Sequence, residues 1–372
     1  MPSRSSPWTG FPHGCDPQRD AGRLRVNGAL PRVSIVAPCF NEAEGLQEFY
    51  RRCSLACSDA VGGDHEIVLV DDGSTDATWP LIEALARADE RVVGLRLLRN
   101  HGHQLASSAG LAAALGERVL LIDADLQDPP ELLSAMMREM DQGADVVYGL
   151  RTGRDRESWF KRTCASLFYR SLSWLTDTAI PRDTGDFRLM SRTVVDAFLL
   201  MPEQHRFIRG MVSWIGGRQV AMPYQREGRY AGTTKYPFRK MVRLAIDAVT
   251  SFSTRPLRIA TWSGLVFAFL ALGVLGYSLV QWARGSVIDG WTSLMAATSL
   301  FAGVQLLVLG ILGEYLGRLV QESKNRPLFL VGAVRRGDKL HAVSAEFSRL
   351  PPSQQHTIRG TWRSAGAPPD RP

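Results

Sequence analysis

The hydrophobic positions between residues 33 and 148 fall into short runs separated by amphipathic stretches. Runs of strand length occur at residues 33–37, 66–70, 92–98, 119–122 and 145–148. Stretches with a helical spacing of apolar residues lie between them, at residues 43–56, 78–88, 107–115 and 131–142. Strands that alternate with helices predict an α/β domain with a mostly parallel sheet and helices on both faces. Such sheets bind ligands at the carboxyl ends of their strands.

Two long uncharged stretches follow, 25 residues at 259–283 and 24 residues at 290–313. At ~1.5 Å per residue, each helix would cross the ~30 Å hydrocarbon core of a bilayer. A buried helix pair of a soluble protein is the alternative, but such helices are rarely apolar on all sides at this length. Lys and Arg flank the pair, whereas the spacer at 284–290 holds one Arg and one Asp. The positive-inside rule therefore places the α/β domain and both chain ends in the cytosol.

The predicted organisation has five parts. Residues 238–253 carry apolar side chains at helical spacing, with Arg239, Lys240 and Arg243 largely off that stripe. This pattern fits a helix lying in the membrane interface, and a core helix of the α/β domain is the alternative. The parts are a disordered basic arm (1–32), the α/β domain (33–237), a juxtamembrane amphipathic helix (238–257), a two-helix transmembrane hairpin (258–317) and a cytosolic basic tail (318–372).

Charge and cysteine content exclude some classes of protein. Residues 1–32 hold five Arg and two Asp, and residues 318–372 hold ten Lys or Arg against four Asp or Glu. Because the whole chain carries +7, residues 33–317 carry −2, which does not support a nucleic-acid-binding core. Basic ends beside a membrane segment fit attraction to anionic lipid. The five cysteines are irregularly spaced, which favours free thiols in a reduced compartment over a zinc site.

Carboxylates follow two of the predicted strands. Asp123 and Asp125 come directly after the apolar run 119–122, and Gln127 lies two residues further on. Oxygen ligands of this kind suit Mg²⁺ or Mn²⁺ with few protein ligands, the others coming from a diphosphate. The metal would neutralise charge on a leaving nucleoside diphosphate. A solvated turn gives the same pattern, and the segment DDGS at 71–74 is also typical of a turn or a helix cap.

Several ordered motifs together resemble glycosyltransferase family 2. They are VSIVAPCFNE at 33–42, VDDGSTD at 70–76 and DAD at 123–125. Further motifs resemble the dolichol-phosphate mannose synthases and the bacterial polyprenyl-phosphate glucosyltransferases, namely NHGHQLA at 100–106, GDFRLM at 185–190, RYAGTTKY at 229–236 and GEYLGR at 313–318. The resemblance implies a GT-A type, Rossmann-like nucleotide-sugar domain followed by interface helices and two C-terminal transmembrane helices.

The resemblance also implies the residues that bind the donor. In the family, the first two strand ends hold the base and ribose, and the Asp-x-Asp motif holds metal and diphosphate. Arg229 and Lys235, on a Gly-containing loop, suit a diphosphate clamp, with a basic membrane-facing loop as the alternative. The implied donor contacts are Pro38, Phe40, Glu42, Val70, Asp72, Asp123, Ala124, Asp125, Arg151, Arg229 and Lys235, and the implied metal ligands are Asp123, Asp125 and Gln127.

The acceptor that the resemblance implies is a lipid phosphate monoester. Arg162 and Ser166 would share one helix face and contact that phosphate, and a solvated helix face is the alternative. Asp186 matches the residue regarded as the catalytic base in the bacterial relatives, so Asp186 and Arg188 are the expected catalytic residues. A phosphate monoester is already largely ionised near neutrality, since its second pKa is about 6. Orientation of Arg188 or of the sugar hydroxyls is therefore the alternative role for Asp186.

The expected reaction is one inverting displacement, in which a polyprenyl phosphate attacks the anomeric carbon and a nucleoside diphosphate leaves. The expected place is the cytosolic face of a bacterial inner membrane. A processive polysaccharide synthase is one alternative, but it needs more membrane helices and a Gln-x-x-Arg-Trp motif that this sequence lacks. A non-catalytic scaffold is another, which the intact Asp123, Asp125 and Lys235 disfavour. The sequence leaves open the sugar, of UDP-glucose or GDP-mannose type, and self-association.

Overall fold

The computed structural model describes residues 30–152, 184–225, 255–284 and 290–342. Its strands are β1 (Val33–Cys39), β2 (His65–Asp71), β3 (Val92–Leu97), β4 (Arg118–Leu121), β5 (Val146–Arg151), β6 (Thr184–Ser191), β7 (Gln219–Tyr224), β8 (Val331–Arg336) and β9 (Lys339–Ala342). Its helices are α1 (Leu46–Val61), α2 (Thr78–Ala88), α3 (His103–Ala113), α4 (Leu133–Asp141), α5 (Arg192–Leu200), α6 (Ile208–Ile215), α7 (Arg255–Ala283) and α8 (Trp291–Ser323). The five strands predicted from the apolar runs correspond to β1–β5.

All described strands belong to one sheet, in the order β7-β5-β6-β4-β1-β2-β3-β8-β9. Four of the eight strand pairings are parallel and four are antiparallel. The antiparallel pairings all involve β6 or β8, two strands that the sequence pattern did not reveal. The predicted α/β class is confirmed, but the expectation of a mostly parallel sheet is wrong because these two strands run against the others.

The central strand β1 is buried along its whole length because helices cover both faces of the sheet. Side chains alternate between the faces of a strand. Ile35 and Ala37 therefore pack into the core that includes α1 and α4, whereas Val36 packs into the core that includes α3 and α5. A Cβ atom at Gly110 of α3 would overlap the Val36 side chain, so glycine lets α3 approach β1 closely.

The C-terminal segment joins the sheet. β8 pairs antiparallel with the edge of β3, from Val93 opposite Arg336 to Leu97 opposite Val331, and β9 pairs with β8. Residues 331–342 fall within the stretch 318–372 that was predicted to be a cytosolic basic tail. Backbone pairing along β3 places residues 331–342 in the sheet of the α/β domain instead.

The helices α7 and α8 form a hairpin whose apolar side chains are largely exposed. Phe267 and Phe301 pack edge to face with ring centroids 5.8 Å apart, whereas Leu306 and Leu307 are 69% and 66% exposed. Within the described residues, length and composition qualify one helix, Leu300–Ser323, to cross a membrane, and Ala260–Val274 is a shorter apolar helix. The prediction of two transmembrane helices is therefore supported for one of them. Apart from residues 255–257, the predicted amphipathic helix lies outside the described residues.

Candidate active site

The ends of β1, β2 and β4 meet at one edge of the sheet. Cys39 and Asp71 end β1 and β2 and are register partners, and Asp72 N donates to Cys39 O at 2.9 Å. Ile122 N donates to Val36 O at 3.1 Å, which places the segment after β4 beside β1. The predicted donor residues that are buried at this edge are Pro38, Val70, Asp72 and Ala124, while Glu42 is half-buried and Phe40 is exposed.

Hydrogen bonds join the loops that follow β1 and β2. Asn41 N donates to Ser74 Oγ at 3.0 Å, and Thr75 N donates to Asn41 Oδ1 at 2.9 Å. Asn41 has a φ of 58°, a left-handed conformation that Asn tolerates better than most residues. Glu42 N donates to Thr78 Oγ1 at the start of α2, also at 3.0 Å. The two loops predicted to hold the base and ribose therefore form one bonded unit.

Asp72 holds the loop that leads into α3. Its two carboxylate oxygens accept from the backbone N–H groups of His101 and Gly102 at 2.7 and 2.9 Å. Burial raises the pKa of Asp72, and these two hydrogen bonds act in the opposite direction. Asp72 thus connects the carboxyl end of β2 to the start of α3.

Asp123 occupies a position with several negative neighbours. Its side chain is 26% exposed, and its Oδ1 makes no hydrogen bond although His103 Nε2 lies 3.3 Å away. Burial raises the pKa of Asp123 to about 6; His103 opposes the rise, and the carboxylates of Asp186, Asp128 and Asp125 add to it. Burial and the neighbouring carboxylates destabilise the Asp123 anion, and a cation bound beside it would stabilise that anion.

The turn after β4 keeps the predicted metal ligands on one short loop. Asp125 Oδ1 accepts from Gln127 N at 3.2 Å, across Leu126 with its φ of 60°. In the described part of the chain, no group of three or more His, Cys, Asp or Glu side chains is arranged to hold a metal ion. Two carboxylates and an amide fit an ion that takes most of its ligands from a bound diphosphate. The buried, unbonded Oδ1 of Asp123 agrees with that fit.

Asp186, on β6, is held by donors from two helices. Arg209 Nε of α6 donates to Oδ1 at 2.8 Å, and Gln104 Nε2 of α3 donates to Oδ2 at 2.9 Å. His103 Nε2 lies 3.2 Å from the same Oδ2, and the Asp186 side chain is 3% exposed. Burial alone would raise the pKa of Asp186, but the His103 hydrogen bond and the charges of Arg209 and Arg188 lower it far below its ordinary value. Asp186 is therefore a fixed anion.

His103 lies between the two acidic centres. Its Nε2 is 3.3 Å from Asp123 Oδ1 and 3.2 Å from Asp186 Oδ2. Burial lowers the pKa of His103, but the Asp186 hydrogen bond and the two carboxylate charges outweigh it and raise the pKa. The imidazole thus links the loop after β4 to the carboxylate on β6.

Arg188 lies two residues beyond Asp186, on the same face of β6. Its Nη2 donates to Gly185 O at 3.1 Å, and the side chain is 4% exposed. Burial lowers the pKa of Arg188 to about 10, and the charge of Asp186 opposes that change. The two side chains therefore act on each other through charge, while the hydrogen bonds of Asp186 go to α3 and α6.

Arg151, at the end of β5, joins a second cluster. Its Nε donates to Tyr224 OH at 3.1 Å, its Nη2 lies 3.6 Å from Asp128 Oδ1, and the Tyr224 hydroxyl donates to that same oxygen. A Cβ atom at Gly185 would lie 2.5 Å from Arg151 Nη2. Glycine before Asp186 thus leaves room for the guanidinium between the loop after β4 and the start of β6.

Two family profiles match the chain. Glycosyl transferase family 2 matches residues 34–199, and the GtrB C-terminal hairpin matches residues 255–319. The uncharacterized glycosyltransferase YkcC of Bacillus subtilis is 43% identical over 303 residues, covering 81% of this chain and 93% of YkcC. The chain belongs to glycosyltransferase family 2.

This family 2 glycosyltransferase has further relatives. The prophage bactoprenol glucosyl transferase homolog of Escherichia coli is 39% identical over 306 residues, covering 82% of this chain and all of the relative. Among solved structures, the mannosyltransferase PcManGT of Pyrobaculum calidifontis, in complex with GDP-Man and Mn²⁺, is 17% identical with a TM-score of 0.39. That alignment covers 80% of this chain and 87% of the mannosyltransferase.

Some site residues of this glycosyltransferase lie beyond the described ranges, and others were missed by sequence reasoning. Arg162, Ser166, Arg229 and Lys235 fall outside the described residues, so their roles stay predictions. Gln104 was missed although it lies in the motif NHGHQLA, which was the signal that could have revealed it. Arg209 lies 23 residues beyond Asp186 on another element, and its local sequence gave no signal.

Proposed function

We propose that this family 2 glycosyltransferase moves a sugar from a nucleoside diphosphate sugar onto the phosphate of a polyprenyl lipid. The phosphate oxygen forms the new bond to the anomeric carbon, and the nucleoside diphosphate leaves with the electron pair of the broken bond. The attack from the opposite face inverts that carbon. The name of the Escherichia coli relative supports a polyprenyl acceptor and makes UDP-glucose the first donor to test.

The observation that carries the proposal is that the acidic site and an exposed apolar helix are held together. Gln204 N donates to Glu322 Oε1 at 2.8 Å, so the α/β domain rests against the C-terminal end of α8. Many apolar side chains of α8 are not buried by any other described part of the chain. A bilayer would cover them, and the phosphate of a polyprenyl lipid lies at the bilayer surface.

The described residues suit distinct parts of this reaction. Asp123, Asp125 and Gln127 would hold a divalent cation, Mg²⁺ or Mn²⁺, whose charge would stabilise the leaving diphosphate. Arg151 would contact the donor phosphates. Outside the described residues, Arg229 and Lys235 keep the same predicted role, and Arg162 and Ser166 are predicted to contact the acceptor phosphate. Asp186 is a poor base because its pKa is held so low. We therefore assign it the positioning of neighbouring cations rather than proton transfer.

The topology belongs to the same proposal. Both α7 and α8 cross the inner membrane of a bacterium, and the α/β domain and both chain ends lie in the cytosol. The positive-inside asymmetry of the sequence supports this orientation. The match of residues 255–319 to a C-terminal hairpin profile supports two helices rather than one.

Membranes that contain the full chain can test the proposal with radiolabelled UDP-glucose, GDP-mannose and UDP-N-acetylglucosamine, each with polyprenyl phosphate or with a water-soluble phosphate monoester. We expect one sugar to pass into an organic-extractable product with polyprenyl phosphate. Asp125→Asn should abolish that product, and the matched surface change Asp141→Asn should not. Growth of a polymer would identify a processive synthase instead. Transfer from none of the donors would favour a non-catalytic scaffold, and either result overturns the proposal.

A further inference from the structure

The position of Asp186 depends on the first turns of two helices. His103 and Gln104 are the first two residues of α3, and Arg209 is the second residue of α6. Gln104 joins the two helices because its Oε1 accepts from Ile208 N at 2.8 Å while its Nε2 donates to Asp186. The loops that lead into α3 and α6 therefore determine the positions of the side chains that form hydrogen bonds to Asp186.

The loop into α3 is held from two sides. On one side Asp72 accepts from the backbone of His101 and Gly102. On the other side Leu98 N donates to Leu330 O at 2.9 Å, and Leu330 N donates to His101 Nε2 at 3.3 Å. Leu330 lies in the segment that follows α8. The loop is thus fixed between Asp72, which follows β2, and this C-terminal segment.

The segment into α6 is held by the end of α8. Gln204 N donates to Glu322 Oε1 at 2.8 Å, and Gln204 Nε2 donates to Arg326 O at 2.9 Å. His205 Nε2 lies 2.7 Å from Gln321 Oε1. Three hydrogen-bonding contacts on two consecutive residues fix this segment only a few positions before Arg209.

Both sets of contacts come from residues 321–330, a single stretch that begins in the last turn of α8 and continues beyond it. At its far end the stretch runs into β8, which pairs with β3, the strand that leads into the first loop. At its near end it is continuous with the apolar helix. A shift of α8 along its axis would therefore be transmitted to both loops. Through them it would reach His103, Gln104 and Arg209, the three side chains that hold Asp186.

We infer that residues 321–330 form a positioning element, in which Glu322 and the backbone of Leu330 set the geometry of Asp186 according to how α8 is seated. Glu322 acts through the segment that leads to Arg209, and Leu330 acts through His101 and the loop that leads to His103. The inference rests on the proposed function, because the geometry of Asp186 affects the rate only if Asp186 serves the transfer. The consequence is that the enzyme turns over slowly when the contacts of residues 321–330 with the two loops are lost, although it still binds the nucleotide sugar.

The test uses the full chain in lipid vesicles, with Glu322→Ala, Glu322→Gln and the neighbouring control Ser323→Ala. Glu322→Ala removes the side-chain oxygen that accepts from Gln204 N, and we expect kcat to fall about tenfold with little change in donor KM. Glu322→Gln keeps an acceptor oxygen and should restore most of the rate. Ser323→Ala should match the parent, because the Ser323 hydroxyl donates to Val320 O within the same helix.

A second variant and a second measurement distinguish the inferred effect from misfolding. His101→Phe removes the acceptor for Leu330 N and should lower kcat in the same way, with the melting temperature little changed. Amide hydrogen exchange at residues 98–103 and 204–209 should quicken in Glu322→Ala and not in Ser323→Ala. Parental kcat in both Glu322→Ala and His101→Phe, or unchanged exchange in Glu322→Ala, overturns the inference. If the parent itself makes no lipid-linked sugar, the proposed function fails, and the exchange result still decides the inference.

Discussion

Replacing Asp186 by Asn separates a general base from a positioning anion. The change keeps the size of the side chain but replaces one carboxylate oxygen by an NH₂ group. Arg209 Nε faces Oδ1, and Gln104 Nε2 and His103 Nε2 face Oδ2. Either orientation of the Asn amide therefore places two donors against each other, and the charge that Arg209 and Arg188 require is lost.

The magnitude follows from those contacts. A hydrogen bond to a charged group contributes about 1.5–3 kcal/mol, and the loss of the Arg209 bond alone is worth about that much. If that loss is expressed at the transition state, kcat falls roughly 10- to 160-fold, since about 1.36 kcal/mol corresponds to tenfold in rate. A surface pair gives the matched control. Asp141, 58% exposed, pairs with Arg118 at 2.6 Å, and Asp141→Asn should change little because exposed pairs contribute about 0–1 kcal/mol.

The pH profile of kcat decides between the two roles. The pKa of Asp186 is lowered far below its ordinary value, so the carboxylate stays ionised from pH 5.5 to 9 and loses its charge only in stronger acid. An acidic limb in this range would belong to the acceptor phosphate, whose second pKa is about 6, or to Asp123 or His103, whose pKa values are raised. We expect Asp186→Asn to keep an acidic limb, with the variant lower at every pH. A limb that the parent shows and Asp186→Asn lacks would refute the positioning role and restore the base.

Further outcomes follow from the same site. Asp125→Asn, or excess chelator added to the parent, should reduce transfer by several orders of magnitude in the radiolabel assay; near-normal turnover in either would reject the metal role. Gly185→Ala should raise the donor KM with little change in melting temperature, because its Cβ would lie 2.5 Å from the flexible end of Arg151; an unchanged KM would separate Arg151 from the donor. An impermeant thiol reagent applied from outside should modify a cysteine placed at residue 286 and leave one at residue 344 unmodified; the reverse pattern would contradict the cytosolic site.

The sequence predicted the elements whose signals are local. The apolar runs predicted β1 to β5 because a strand that is buried on both faces is a nearly continuous run of apolar residues. The carboxylates after β2 and β4 were expected at one edge of the sheet, and the structure places Asp72 and Asp123 there, on either side of β1. Their roles in binding donor and metal stay predictions.

The rest depended on contacts between distant segments. β8 is only six residues long and pairs with β3 through backbone groups, which leave no trace in a hydropathy pattern. The basic composition of residues 318–372 suggested a cytosolic tail attracted to anionic lipid instead. Arg209 could not be assigned to the site because nothing in a short amphipathic helix shows that its second residue faces a carboxylate on another element. His103 needed the structure for the same reason, since its two acidic neighbours are Asp123 and Asp186.

The arrangement of charge explains why fixed groups suit the proposed reaction better than a base. On one side of His103, the negative charges of Asp123 and Asp125 would be neutralised by the metal ion that accompanies a bound diphosphate. On the other side, the positive charges of Arg188 and Arg209 exceed the single negative charge of Asp186, which would favour an anionic acceptor. Two unit negative charges 5 Å apart repel by about 3 kcal/mol at an effective dielectric constant of 20. That repulsion would slow the approach of phosphate to diphosphate sugar roughly 200-fold. Cations held in place on both sides offset it before the reactants meet, and the ionised acceptor leaves no proton for Asp186 to remove.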